Sequence, residues 1–109
     1  MKLSENKCEA CQIGAPQVTK EEMVEYMKEL DGWEVIVESN ISQLFKSFKF
    51  GNYQEAIKFS LKVADLAEEE NHHPKIVLEW GKVEVYWWTH KINGLHANDF
   101  ICASKTDLI

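Results

Sequence analysis

The sequence of 109 residues contains no arginine. Its twelve cationic side chains are all lysines, and they face eighteen Asp and Glu for a net charge of −6. A reader of nucleic acid needs a basic patch, and its phosphate and guanine contacts favour the bidentate arginine fork. With neither on offer, direct nucleic-acid binding is not expected, and the same charge balance disfavours an anionic membrane surface. Cysteine is scarce and odd in number: Cys8 and Cys11 form one Cys-x-x-Cys near the N-terminus, and Cys102 stands far away. That is neither a disulfide framework nor a paired zinc site, so reduced thiols are expected, with the Cys8-x-x-Cys11 pair structural or incidental. No apolar run approaches the roughly 18 residues a spanning helix needs, and no charged-then-apolar segment opens the chain; the cytoplasm is the expected address. Also missing are a serine or cysteine in a nucleophile motif and a glycine-rich phosphate loop.

What is present is a folded chain. Hydrophobic residues make up 45% and charged residues 28%, too apolar for disorder, and the length suits one core rather than two. Residues 1–18 show no clear period and read as an N-terminal arm whose order depends on what it docks against, leaving 19–109 as the domain. Thr19 with Glu22 has capping-box spacing, and Met23, Tyr26, Met27 and Leu30 recur at helical intervals before Gly32, giving a first helix of about three turns.

From Trp33 the period becomes two, with Trp33, Val35 and Val37 on one side. Ser39-Asn40 marks a turn into a second strand that carries Leu44, Lys46, Phe48 and Phe50 on one side and Phe45, Ser47 and Lys49 on the other. Asn52 with Glu55 repeats the cap spacing ahead of an apolar stripe through Ala56, Phe59, Val63 and Leu66, a second helix of about eighteen residues. It closes on Glu68-Glu69-Glu70, the wrong sign of charge for a helix C-terminus, so another task for those carboxylates is implied. Pro74 cannot continue the helix; Ile76–Trp80 and Val83–Thr89 read as a second hairpin about Gly81-Lys82, and His96 to Leu108 as a last helix. The order α-β-β-α-β-β-α predicts an α+β fold, a four-stranded antiparallel sheet with three helices on one face.

All four histidines fall between His72 and His96. Imidazole titrates near neutrality and can both give and take protons there. Residue 74 and His90 each stand about eight residues from the second hairpin turn, so antiparallel pairing sets the corner holding His72 and His73 nearly opposite His90. Glu68 precedes His72 by one helical turn, if the helix persists, and can orient that ring. Simpler roles stand beside these: His72-His73 can merely end a helix, Asp99 can be a first-turn cap, and Trp80, Trp87 and Trp88 can be core or interface aromatics. A three-histidine zinc site is disfavoured, since adjacent His72 and His73 point apart in an extended segment and helical ligand spacing is lacking except for Glu68 with His72; no metal is expected.

Glu68-x-x-x-His72-His73-Pro74, followed at fixed gaps by Trp80, His90 and Asp99, resembles the signature of the pterin-4a-carbinolamine dehydratases. Thr89-His90-x-x-x-Gly94-Leu95-x-x-x-Asp99-Phe100 strengthens the match, which runs from about Thr19 to the C-terminus. The arm from Cys8-Glu9-Ala10-Cys11 through Ala15-Pro16 is similar to bacterial members associated with phenylalanine hydroxylation.

The resemblance implies the same fold and a hydro-lyase. Its substrate would be 4a-hydroxytetrahydrobiopterin, left by aromatic amino-acid hydroxylases, and its products quinonoid dihydropterin and water, with no cofactor. It carries His72, His73 and His90 over as catalytic residues, with Glu68 and Asp99 in support and Pro74, Trp80 and Thr89 in the substrate pocket. His96 stands where relatives carry a capping Thr. Homodimers or homotetramers are implied. Two other roles within the family are a coactivator-like dimerisation cofactor and a molybdopterin-related member, the latter usually with an altered histidine motif.

Overall fold

The computed structural model describes residues 3–5 and 17–109; Cys8, Cys11 and most of the predicted arm lie outside the described residues. Three helices, α1 (Lys20–Met27), α2 (Tyr53–Glu70) and α3 (Ala97–Thr106), alternate with four strands, β1 (Glu34–Glu38), β2 (Ile41–Lys49), β3 (Lys75–Glu79) and β4 (Lys82–Trp87). The strands form one antiparallel sheet in the order β1-β2-β4-β3. This is the α+β architecture that the periodicities predict, in the predicted order.

Local chemistry explains the boundaries. The α1 capping box closes as the spacing predicts: the Glu22 amide donates to Thr19 Oγ1 at 3.1 Å and the Thr19 amide to Glu22 Oε1 at 2.9 Å. The helix stops earlier than the expected three turns. After Met27 the backbone tightens, with Glu29 N–H donating to Tyr26 O and Leu30 N–H to Met27 O, and Gly32 at φ +82° turns the chain into β1. In α2 the Asn52 side chain accepts from the Glu55 amide at 2.8 Å. The predicted length of α2 holds.

The sheet has a covered and an open face. Leu44 pairs with Trp87, Lys46 with Val85 and Phe48 with Val83, and this side lies under the helices, against Ala56, Val63, Leu66, Ala67, Phe100 and Ala103. Leu44, Val63, Val83, Val85, Trp87 and Phe100 are fully buried, each contributing about 1.5–3 kcal/mol of transfer free energy. Val35 and Val37 have the predicted phase, since Val35 pairs with Leu44, yet both are exposed because β1 is an edge strand beyond the reach of the helices. Lys46 also lies on the covered side. Its stem passes Trp33 and Phe48, and its ammonium bonds Asp31 O at 2.7 Å and Asp107 Oδ1 at 2.8 Å. Leu108, expected in the α3 stripe, is exposed because the helix ends at Thr106.

The second hairpin differs from the prediction by one position. Glu79 pairs with Lys82, so the two loop residues are Trp80 and Gly81 rather than Gly81 and Lys82. Gly81, at φ +116°, is required there: a Cβ would sit 3.1 Å from Phe50 O, the backbone beside which the turn docks. No helix among the described residues is long and apolar enough to cross a membrane.

Candidate active site

The C-terminus of α2 builds the corner that presents His72 and His73. Asn71 takes the left-handed conformation at φ 52°, the Asn71 amide donates to Glu68 O and the His72 amide to Ala67 O. These are the two bonds of a Schellman ending, and asparagine tolerates the geometry better than most residues. Pro74 then sets the chain into β3. The turn sends consecutive side chains to different partners.

His72 goes inward. Its Nε2 lies 2.6 Å from Asp99 Oδ1 at the start of α3, and its ring stacks on Trp87 at 5.6 Å between centroids, with the planes 9° apart. Asp99 is fully buried. Its Oδ2 accepts from the Thr89 hydroxyl at 2.8 Å and from the His96 amide at 2.9 Å. With three neighbours tied to one carboxylate group, Asp99 is at once the N3 member of the α3 cap and the anchor of His72. An ionised carboxylate only accepts, so His72 meets it as an Nε2–H donor. Trp87 is fixed in turn, since its Nε1–H donates to Thr106 Oγ1 at 3.1 Å and that hydroxyl donates to Cys102 O at 2.7 Å.

His73 goes outward. Its Nε2 pairs with Glu68 Oε2 at 2.5 Å, and both side chains are mostly exposed. The sequence pattern assigns Glu68 to His72 one helical turn on; the structure assigns it to His73, because Asn71 ends the helix before that turn is complete. The rest of the acidic run also has a use, as Glu70 pairs with Lys105 of α3 at 2.9 Å. His90 is exposed and rests on Trp88, with ring centroids 4.5 Å apart, at the start of a 3-10 turn over His90–Ile92.

The register therefore brings His72, His73 and His90 to one end of the sheet, where β3 begins and β4 has ended, joined by Thr89 and Asp99. Pro74 is half-buried beside them. Trp80 is not brought there. It sits 70% exposed at the tip of the β3–β4 hairpin, at the opposite end of both strands, because it occupies the turn itself. His96, which the resemblance puts at the cap position of the last helix, has no assigned part in the pocket. Its Nδ1 accepts from the Asn98 amide at 3.1 Å and its amide holds Asp99, so it caps α3. The three-residue spacing from His96 to Asp99 completes a capping box with a histidine where Ser or Thr is usual.

Comparison with known proteins gives the family. The family described as Pterin 4 alpha carbinolamine dehydratase matches residues 16–109. A Vibrio cholerae protein named "Putative pterin-4-alpha-carbinolamine dehydratase" is 52% identical over 107 residues, 98% of each chain. A Vibrio vulnificus protein of the same name is 54% identical, again over 98% of this chain and 97% of its own. Among solved structures, a transcriptional coactivator/pterin dehydratase from Brucella melitensis superimposes with a TM-score of 0.77 at 31% identity, covering 85% of this chain and 97% of that one. A pterin dehydratase-like protein described as a RuBisCO assembly factor in the alpha-carboxysome gives 0.61 at 25% identity, over 73% and 90%. The chain belongs to the pterin-4-alpha-carbinolamine dehydratase family.

Proposed function

We propose that the chain dehydrates 4a-hydroxytetrahydrobiopterin or a close 4a-hydroxytetrahydropterin to the quinonoid dihydropterin and water by imidazole acid/base catalysis. The observation that carries this reading is the His72–Asp99 pair: a 9% exposed imidazole held at 2.6 Å by a fully buried carboxylate whose second oxygen is itself doubly bonded to donors. Such a ring has one orientation and one tautomer to offer.

The reaction removes the N5 proton, breaks the C4a–O bond and forms the C4a–N5 double bond from the freed electron pair, while the departing hydroxyl takes a proton and leaves as water. Two protons move and no electron changes hands. The step calls for a base and an acid on the substrate, and we assign it no metal or redox cofactor. With Nε2–H turned to Asp99, His72 has Nδ1 left to take the N5 proton. His90 is the acid for the hydroxyl, and His73, steered by Glu68, positions the pterin. Pro74 fixes the corner that separates His72 from His73, and Thr89 acts through Asp99.

The reaction that supplies this substrate is the hydroxylation of an aromatic amino acid with tetrahydropterin, so the same reading places the chain in the cytoplasm beside such a hydroxylase. Apolar side chains left on the open sheet face, Ile36, Phe45 and Tyr86, and exposed Leu61 on α2 support assembly as a homodimer or homotetramer. A coactivator-like binding role is favoured by one observation, the description of the Brucella melitensis structure. The two roles separate on the histidines, because protein contact alone has no use for the buried His72–Asp99 pair. The test is the rate at which freshly generated carbinolamine disappears with and without the protein: acceleration that is lost in His72→Ala supports the enzyme, and the spontaneous rate in the presence of the folded chain leaves the binding role.

A further inference from the structure

Among the described residues, most of the backbone bonds that close the loop carrying His90 are long. Thr89 N–H donates to Gly94 O at 2.9 Å, but the returning Gly94 N–H to Thr89 O is 3.4 Å, Ile92 N–H to Thr89 O is 3.3 Å and Asn93 N–H to His90 O is 3.4 Å. The last three are long for N–H···O bonds. From outside the loop, Val18 N–H donates to Leu95 O at 2.9 Å, and Gln17 Nε2 to Ile92 O at 3.2 Å. Both donors immediately precede Thr19, whose capping box ties the segment to α1.

Gly94 shows how closely this strap is fitted. A Cβ at Gly94 would lie 2.5 Å from Cδ, 2.6 Å from Oε1 and 2.7 Å from Nε2 of Gln17, so the space a side chain would fill is filled by the Gln17 amide. Those three atoms are the end of a flexible side chain. An alanine at 94 therefore evicts the Gln17 amide and little else.

We propose that Gln17 is a positioning residue: seated against Gly94, its amide holds the carbonyl of Ile92 and with it the loop that aims His90 at the substrate. The inference rests on the dehydratase reading for what His90 does, but not for the strap itself. Segments closed by long, weak backbone bonds open locally at little cost, and one hydrogen bond is enough to change the population of the held form severalfold.

Gln17→Ala and Gly94→Ala break the same contact by different routes, which makes the test sharp. In the full chain each single variant is expected to lower kcat about three- to ten-fold with KM within about two-fold of the parent, and the double variant to do no worse than either single. Amide hydrogen exchange over 90–93 is expected to quicken in all three, with the melting temperature unchanged. Losses that multiply in the double variant, or unchanged exchange and kcat in Gln17→Ala, would overturn the proposal, as would faster exchange without any change in kcat. Should Gly94→Ala not fold, Gln17→Ala decides alone. If the unaltered chain does not accelerate dehydration at all, the dehydratase reading fails, and the exchange measurement still judges whether the strap holds the loop.

Discussion

His72 and His73 are neighbours in sequence and opposites in structure. His72 is locked between Trp87 and a buried carboxylate, whereas His73 pairs with Glu68 in the open, with side-chain exposures of 57% and 77%. An exposed pair of that kind contributes about 0–1 kcal/mol and is screened by salt, while a buried one is costly to break because the survivor is left uncompensated. The site therefore has a rigid half, His72 with Asp99, Thr89 and Trp87, and an adjustable half, His73 with Glu68. A rigid imidazole suits a proton transfer that depends on placement. Adjustable groups suit the capture of a substrate that has to enter and leave.

The contrast can be broken from the rigid side first. His72→Ala should lower turnover by about 10²- to 10⁴-fold, the span of a lost general base, as read by initial rates on fresh carbinolamine. Asp99→Ala should combine that loss with instability. It strands His72 and the Thr89 hydroxyl and removes the Asp99 half of the α3 capping box, a cost of about 2–4 kcal/mol in urea unfolding. Thr89→Val, which deletes one donor to Asp99, should cost about 1–2 kcal/mol and a smaller share of activity. On the adjustable side, Glu68→Gln should leave stability within about 0.5 kcal/mol and act mainly on KM; an unfolding midpoint as low as that of Asp99→Ala would erase the distinction between the two halves. Smallest of all, Trp80→Ala at the hairpin tip should leave kcat and KM within about two-fold, and a large loss would return Trp80 to the substrate site.

The element order was legible because its signals are local. Thr19 with Glu22 and Asn52 with Glu55 announce helix starts, and the alternation through Leu44, Phe48 and Phe50 announces a strand, without reference to anything distant. The errors came where position in the fold decides. Val35 has the right phase for burial but lies on an edge strand, and the hairpin turn moved by one residue because Gly81 docks on the Phe50 carbonyl. The identities of His72, His73, His90, Glu68 and Asp99 were likewise readable, yet not who pairs with whom. That depended on Asn71, whose left-handed turn gives Glu68 to His73 and sends His72 across to α3. The cap position of His96 was readable from the resemblance, and the structure shows its Nδ1 doing the capping.

The central claim is that His72, held by Asp99, moves the proton that starts dehydration. Its most direct measurement is the initial rate of carbinolamine loss, above the spontaneous rate, for the full chain and for His72→Ala at matched folded concentration. The account predicts clear acceleration by the unaltered chain and a drop of at least about 10²-fold in the variant. A folded His72→Ala protein as fast as the parent would contradict it.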